Sequence, residues 1–153
     1  MNNKLCILNK IEITLDRAKY WDSVLPTFPA NEQQLRSNLS AARAFIDQYG
    51  KGGGMKRTLT SSNSFDKEVS RLLAEQSRLL LHALSEGSMK RAVQEATRLI
   101  GLGFGLTPSG DDFLVGLFAV FNMPECPIYE IKSFCSEVVS VSEDEPTILA
   151  ISL

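Results

Sequence analysis

The sequence holds one histidine (His82), one tryptophan (Trp21) and three cysteines (Cys6, Cys126 and Cys135) in 153 residues, and each scarcity removes a class of protein. Three cysteines are an odd number without paired ligand spacing, and a single histidine cannot complete them, which argues against structural zinc and against a disulfide framework. No apolar run approaches the ~20 residues that a membrane-crossing helix requires. The longest, residues 113–121, has the length of a buried helix. Near the start, Leu5, Cys6, Ile7 and Leu8 are too few for the core of a signal peptide and no small-residue cleavage site follows, so a cytoplasmic protein without a membrane partner is expected. An excess of basic residues is also missing. The net charge is −2, with 11 basic and 8 acidic side chains in residues 1–76 against 5 and 10 in residues 77–153. Beyond Arg98 only Lys132 faces eight acids. That distribution offers no surface for tracking phosphates, so nucleic acid is not expected as a partner.

What is present is an ordinary globular composition, 44% hydrophobic and 22% charged, at a length suited to one domain. From Ile11 onward apolar and polar residues alternate, with Ile11, Ile13 and Leu15 on one side and Glu12 and Thr14 on the other. Two short strands around Asn9-Lys10 are therefore expected, a hairpin with one buried face. An isolated hairpin is marginal in water, and the rest of the chain shows no strands to join it. Residues 16–29, with Trp21, Pro26 and Pro29, read as extended or turn-like, because residues before proline avoid the helical region.

From Asn31 the period changes to that of helices. Asn31 followed by Gln34 reads as a capping box; Leu35, Leu39, Ala42, Phe45 and Ile46 share a face, and Gly50 stands where a left-handed cap would end the helix. Lys51 to Arg57, containing three consecutive glycines, reads as a flexible basic connector. A second helix is expected over residues 65–86 with Val69, Leu72, Leu73, Gln76, Leu79, Leu80 and Ala83 in its stripe, ending at Gly87. A third runs from a Ser88 cap through Ala92, Val93, Ala96, Leu99 and Ile100 to Gly101. A fourth opens at Thr107-Pro108 or Ser109 and runs to Asn122, before Pro124. A fifth covers residues 128–139, with Ile131, Phe134, Cys135 and Val138 as its apolar side. The expected class is α+β, mainly helical: a short N-terminal β-hairpin, then about five helices.

Five of the ten glycines fall within residues 101–116, in the run Gly-Leu-Gly-Phe-Gly-Leu-Thr-Pro-Ser-Gly-Asp-Asp-Phe-Leu-Val-Gly. Glycine at every second position permits positive φ and brings backbone close to whatever sits there, while Thr107, Pro108 and Ser109 open a helix whose first N–H groups have no partner within it. Loop amides and a helix N-terminus together can hold a carboxylate or a phosphate. Asp111 and Asp112 add negative charge at the same place. They suit either a divalent cation bridging to an anionic ligand or plain compensation of the helix dipole, and the whole stretch suits either a ligand site or a tight turn in which Asp112 completes a capping box on Ser109. It is not a Walker loop, because no Gly-Lys-Ser/Thr follows, nor a dinucleotide fingerprint, because a helix precedes it.

Residues 101–114 closely resemble the signature of a bacterial family associated with the AllH-type subunit of oxamate carbamoyltransferase, with Phe104 where that family more often has proline. Upstream, residues 13–26 (Ile-Thr-Leu-Asp-Arg-Ala-Lys-Tyr-Trp-Asp-Ser-Val-Leu-Pro) resemble the family's strand end and its Ala-x-x-Trp-x-x-x-Leu-Pro segment. The resemblance implies carbamoyl exchange between oxalurate and phosphate, giving oxamate and carbamoyl phosphate, in purine-derived nitrogen catabolism. FdrA-like and other All-type subunits would be the partners, and oxalurate, oxamate, phosphate or carbamoyl phosphate the small anionic ligand. The arginine-rich phosphate loop of ordinary carbamoyltransferases is absent. Under this resemblance, backbone amides of Gly103, Gly105, Gly110 and the helix start hold the anion, hydroxyls of Thr107 and Ser109 donate to it, and Asp111 or Asp112 orients a metal or the carbamoyl amine.

The remaining candidates have plainer readings. His82 lies mid-helix with no ligand partner, Cys135 sits on an apolar side, Trp21 reads as a plug over the core, and the Lys51 to Arg57 connector as solvated. Residues 1–142 are expected to form one partial AllH-like domain and residues 143–153 an atypical tail with exposed apolar residues from Ile148. With permissible codons, a shifted frame over that tail gives Arg-Arg-Thr-Asn-Asp-Ile-Ser-Tyr-Leu-Phe, so a frameshift is expected to end the frame early; sequencing the encoding DNA decides it. The alternatives to a carbamoyltransferase subunit are a non-catalytic anion-binding or scaffold module and an inactive remnant.

Overall fold

The computed structural model describes residues 4–8, 10–20, 22–56, 63–128 and 132–144. Two strands, β1 (Lys4–Ile7) and β2 (Ile11–Thr14), pair antiparallel with Leu5 opposite Ile13 and Ile7 opposite Ile11. Five helices follow: α1 (Glu32–Tyr49), α2 (Ser64–Ser85), α3 (Met89–Thr97), α4 (Ser109–Phe121) and α5 (Lys132–Asp144). The mainly helical α+β class read from the sequence is the one found.

The register puts Leu5, Ile7, Ile11 and Ile13 on one face, as the alternation requires, but that face is not buried. Each of these residues is 43–54% exposed, so the buried face expected of the hairpin is corrected to an open one. On the other face Lys4 Nζ meets Glu12 Oε1 at 2.6 Å. Asn9, Trp21, Ile131 and residues 145–153 lie outside the described residues, so the readings that fall on them, the plug over the core and the tail included, have no structural counterpart here.

Helix α1 begins as the cap predicts: Asn31 Oδ1 accepts from the Gln34 backbone N–H at 2.9 Å. The reciprocal half of the capping box, Asn31 N–H to Gln34 Oε1, is not made, and Gln34 Nε2 donates to Asn38 Oδ1. At the other end Gly50 is extended, with φ −68° and ψ 138°, and not left-handed as expected. Glycine is needed there for room, since a methyl group would overlap the Ile46 carbonyl oxygen. The orphan carbonyls at this end are met by Lys56, whose Nζ donates to Ile46 O, Asp47 O and Gly50 O at 2.8–2.9 Å. A cation at a helix C-terminus is also favoured by the dipole. The Lys51–Lys56 stretch therefore folds back, closed by a Gly53–Lys56 bridge, where the sequence suggested a flexible connector. The apolar stripe of α1 exists but is largely open: Leu35 is half-buried beside Phe28 and Pro127, Leu39, Phe45 and Ile46 are each more than half exposed, and no residue of α1 is fully buried.

The core lies in α2 to α5. Val69, Leu73, Leu80 and Ala83 of α2 meet Ala92 and Ala96 of α3, Leu99 after it, Leu114, Phe118 and Phe121 of α4 and Phe134 and Val138 of α5. Phe134 stands edge-on to Phe118 and Phe121, with centroids 5.8 and 6.4 Å apart. Gly87, at φ +69°, turns the chain from α2 into α3. Helix α3 is shorter than expected and gives way to tight turns in which Leu99, Ile100 and Leu102 donate to carbonyls three residues back. Ser88 makes no side-chain cap. Helix α5 starts at Lys132, later than the expected residue 128, and continues to Asp144, so residues 140–144 are helical where the acids suggested an end.

Candidate functional site

The glycine-rich stretch forms the connection between α3 and α4, and two backbone constraints shape it. Gly101, Gly103 and Gly105 all have positive φ, +70°, +140° and +91°, a region that costs a residue with a Cβ roughly 1–2 kcal/mol. Two positions also require glycine for room. A methyl group on Gly103 would overlap the backbone nitrogen of Ser109, and one on Gly110 would overlap the carbonyl oxygen of Leu99. The loop thus lies directly on the first turn of α4.

Two hydrogen bonds tie its ends together. Gly101 N–H donates to Asp111 Oδ1 at 2.8 Å, and Gly110 N–H donates to Leu102 O at 2.8 Å. The buried Gly110 amide, one of the expected anion donors, is therefore spent on closing the loop. Pro108 is the residue before the helix and supplies no side-chain cap, while Asp112 N–H continues the ladder to Pro108 O. The Asp112–Ser109 capping box is accordingly not formed. Asp112 and Thr107 are exposed, Ser109 and Asp111 half-buried, and Leu106 projects with 94% of its surface in solvent.

A second glycine turn, which the sequence presented only as a connector, reaches the same place. A methyl group on Gly54, at φ +54°, would overlap Ser109 Oγ, so the folded Lys51–Lys56 stretch is seated against the start of α4. Phe65 at the start of α2 packs edge-on to Phe104, centroids 5.5 Å apart. Gly54, Phe65 and the Leu99 and Leu102 carbonyls are the contributors that sequence reading missed. A run of three glycines beside a basic residue was their one visible signal.

The first turn of α4 joins the positive end of a helix dipole to two carboxylates. Among the described residues no group of three or more His, Cys, Asp or Glu side chains is arranged to hold a metal ion. His82 is half exposed on α2, with Nδ1 3.3 Å from Glu86 Oε2, and is outside the loop. Cys135 is half-buried on α5, and burial pushes its thiol up, the direction opposite to that of a reactive thiolate. Open clefts elsewhere among the described residues include one of about 450 Å³ lined by Val93, Gln94, Thr97, Arg98 and Val141 and one of about 310 Å³ between Phe28, Leu35 and Pro127.

Residues 99–152 match the model of the family described as oxamate carbamoyltransferase subunit AllH. The matched segment begins at Leu99, whose carbonyl the site is built on, and takes in the whole loop, α4 and α5. No curated protein and no solved structure matches the chain.

Proposed function

We propose that the chain works as the AllH-type subunit of an oxamate carbamoyltransferase system, with the loop of residues 101–109 holding a small anion at the start of α4. The observation that carries this reading is that the family match spans the stretch where positive-φ glycines lie on a helix N-terminus. The amides of Gly103, Gly105 and Ser109 and the hydroxyls of Thr107 and Ser109 are the donors, and they suit a carboxylate or a phosphate. Gly110 contributes by its lack of a side chain, which lets α4 approach Leu99.

In the reaction proposed, a phosphate oxygen attacks the carbamoyl carbon of oxalurate. The bond from that carbon to the oxamate nitrogen breaks, and the nitrogen takes up a proton. Charge develops on the carbamoyl oxygen and on the leaving amide, so backbone donors fixed in advance lower the barrier. In this reading the exposed Asp112 carboxylate accepts from the carbamoyl NH₂ group. FdrA-like and other All-type subunits supply the remaining groups, and the chain works in the cytoplasm.

The test is phosphate release from carbamoyl phosphate and oxamate by the full chain assembled with those subunits. Gly103→Ala, which places a methyl group on Ser109 N, is expected to lower the rate about 100-fold, the order seen when one oxyanion donor is lost. Unchanged turnover in this variant would refute the loop's role, and anion binding without turnover by any assembly would favour the non-catalytic module.

A further inference from the structure

Resting on the reading just given, we propose that the two adjacent aspartates divide their work: Asp111 is a positioning residue that clasps the loop, and only Asp112 faces outward toward a ligand. Consecutive residues of a helix point about 100° apart, so Asp111 and Asp112 leave α4 in different directions, Asp111 half-buried and Asp112 exposed. Asp111 is half-buried and its Oδ1 accepts the Gly101 N–H at 2.8 Å, ten residues back in sequence. Next to it Gly110 N–H holds Leu102 O, so neighbouring residues of the loop's entrance are fastened to neighbouring residues of α4. Residues 103–109 are then a short closed span. Two positive-φ glycines, Gly103 and Gly105, leave that span many alternative shapes when its ends are loose, because glycine loses the most conformational freedom on ordering. The clasp selects the shape in which Gly103 sits on Ser109 N. Its requirement is a hydrogen-bond acceptor at this position, and an uncharged amide oxygen meets it.

Amide NMR of the uniformly ¹⁵N-labelled full chain tests this, reading Gly101 hydrogen exchange and the shifts caused by added carbamoyl phosphate. Asp111→Ala is expected to speed Gly101 exchange and to weaken carbamoyl phosphate binding, each by about tenfold or more, as loss of one charge-assisted bond implies. Asp111→Asn keeps an acceptor oxygen and is expected to stay within about threefold of the native chain on both readings. Asp112→Asn should leave Gly101 exchange unchanged while weakening binding. Should Asp111→Ala unfold the chain, Asp111→Asn still decides. An Asn variant that keeps Gly101 protected yet loses carbamoyl phosphate makes the charge itself the ligand-handling feature and overturns the proposal. So does an Ala variant with native exchange at Gly101. If the native chain responds to neither carbamoyl phosphate nor oxamate, the functional reading fails, whereas Gly101 exchange continues to report on the clasp.

Discussion

Helices α1 and α2 are similar in length, 18 and 22 residues, and both carry an apolar stripe, yet α2 buries six residues and α1 buries none. The same contrast holds for the two parts of the chain that contain them. Among the described residues, every core residue belongs to the stretch from Val69 to Val138, and those before residue 57 contribute none. Amphipathicity therefore states which side of a helix wants a partner and says nothing about where the partner is. Leu73 and Leu80 find α3 to α5, and the equivalent Leu39 and Phe45 face solvent, as do Ile11 and Ile13 of the hairpin. What α1 does have is local: a capped N-terminus at Asn31 and three carbonyls at its other end held by Lys56.

This comparison can be broken most easily in the core. Phe134→Ala removes a ring packed against Phe118 and Phe121 and is expected to lower unfolding free energy by about 3–5 kcal/mol, whereas Phe45→Ala in α1 should change it by less than about 0.5 kcal/mol. Urea denaturation followed by circular dichroism measures both. A comparable loss for Phe45→Ala would show that α1 is packed in solution. Glycines come next. Gly110→Ala pushes α4 from the Leu99 carbonyl, with a loss of about 2–3 kcal/mol, while Gly87→Ala has open space around it and loses about 1 kcal/mol to its positive φ alone. Equal values for the two would mean that the close approach at Leu99 carries no weight.

Smaller effects sharpen the contrast from the side of chemistry. Cys6, on the open hairpin, should react with a thiol reagent ahead of Cys135, whose thiol is raised by burial. The sign of the accompanying pH effect is fixed. A folded-state value above the unfolded one gives stability that is complete below the ordinary thiol range, about 8.5, and is lost as pH rises toward the folded value. Melting temperature should therefore fall on alkaline titration more steeply in the native chain than in Cys135→Ala, and parallel slopes would contradict the burial. The smallest change concerns Glu32–Arg36 on α1, an exposed i,i+4 pair; Arg36→Ala should alter helicity by about 0.3–0.5 kcal/mol, removable by salt.

How much of this was legible in the residues differs between the two parts for the same reason. The hairpin, the helix order, the Asn31 cap and the α2 stripe follow from period and capping chemistry, which are local. Burial of Ile11 or Leu39 is a property of what lies opposite, and no local rule supplies that. At the site, the run from Gly101 to Asp112 announces a loop on a helix start, but not which of its donors and acceptors pair within the fold. Gly110 N–H pairs with Leu102 O and Asp111 Oδ1 with Gly101 N–H because the first turn of α4 lies against the Leu99 carbonyl that follows α3, a tertiary event. Gly54 at Ser109 is a contact across 55 residues and left no trace beyond an unusual triplet of glycines.

The loop of residues 101–109, seated on the first turn of α4, is the proposed anion site. Amide hydrogen–deuterium exchange of the full chain assembled with the proposed FdrA-like and other All-type subunits, with and without carbamoyl phosphate, tests it most directly. Slowed exchange confined to the amides of residues 101–111, with α1 unaffected by the ligand, is the result this account predicts. Unchanged exchange in that loop under conditions where the assembly turns carbamoyl phosphate over would contradict it.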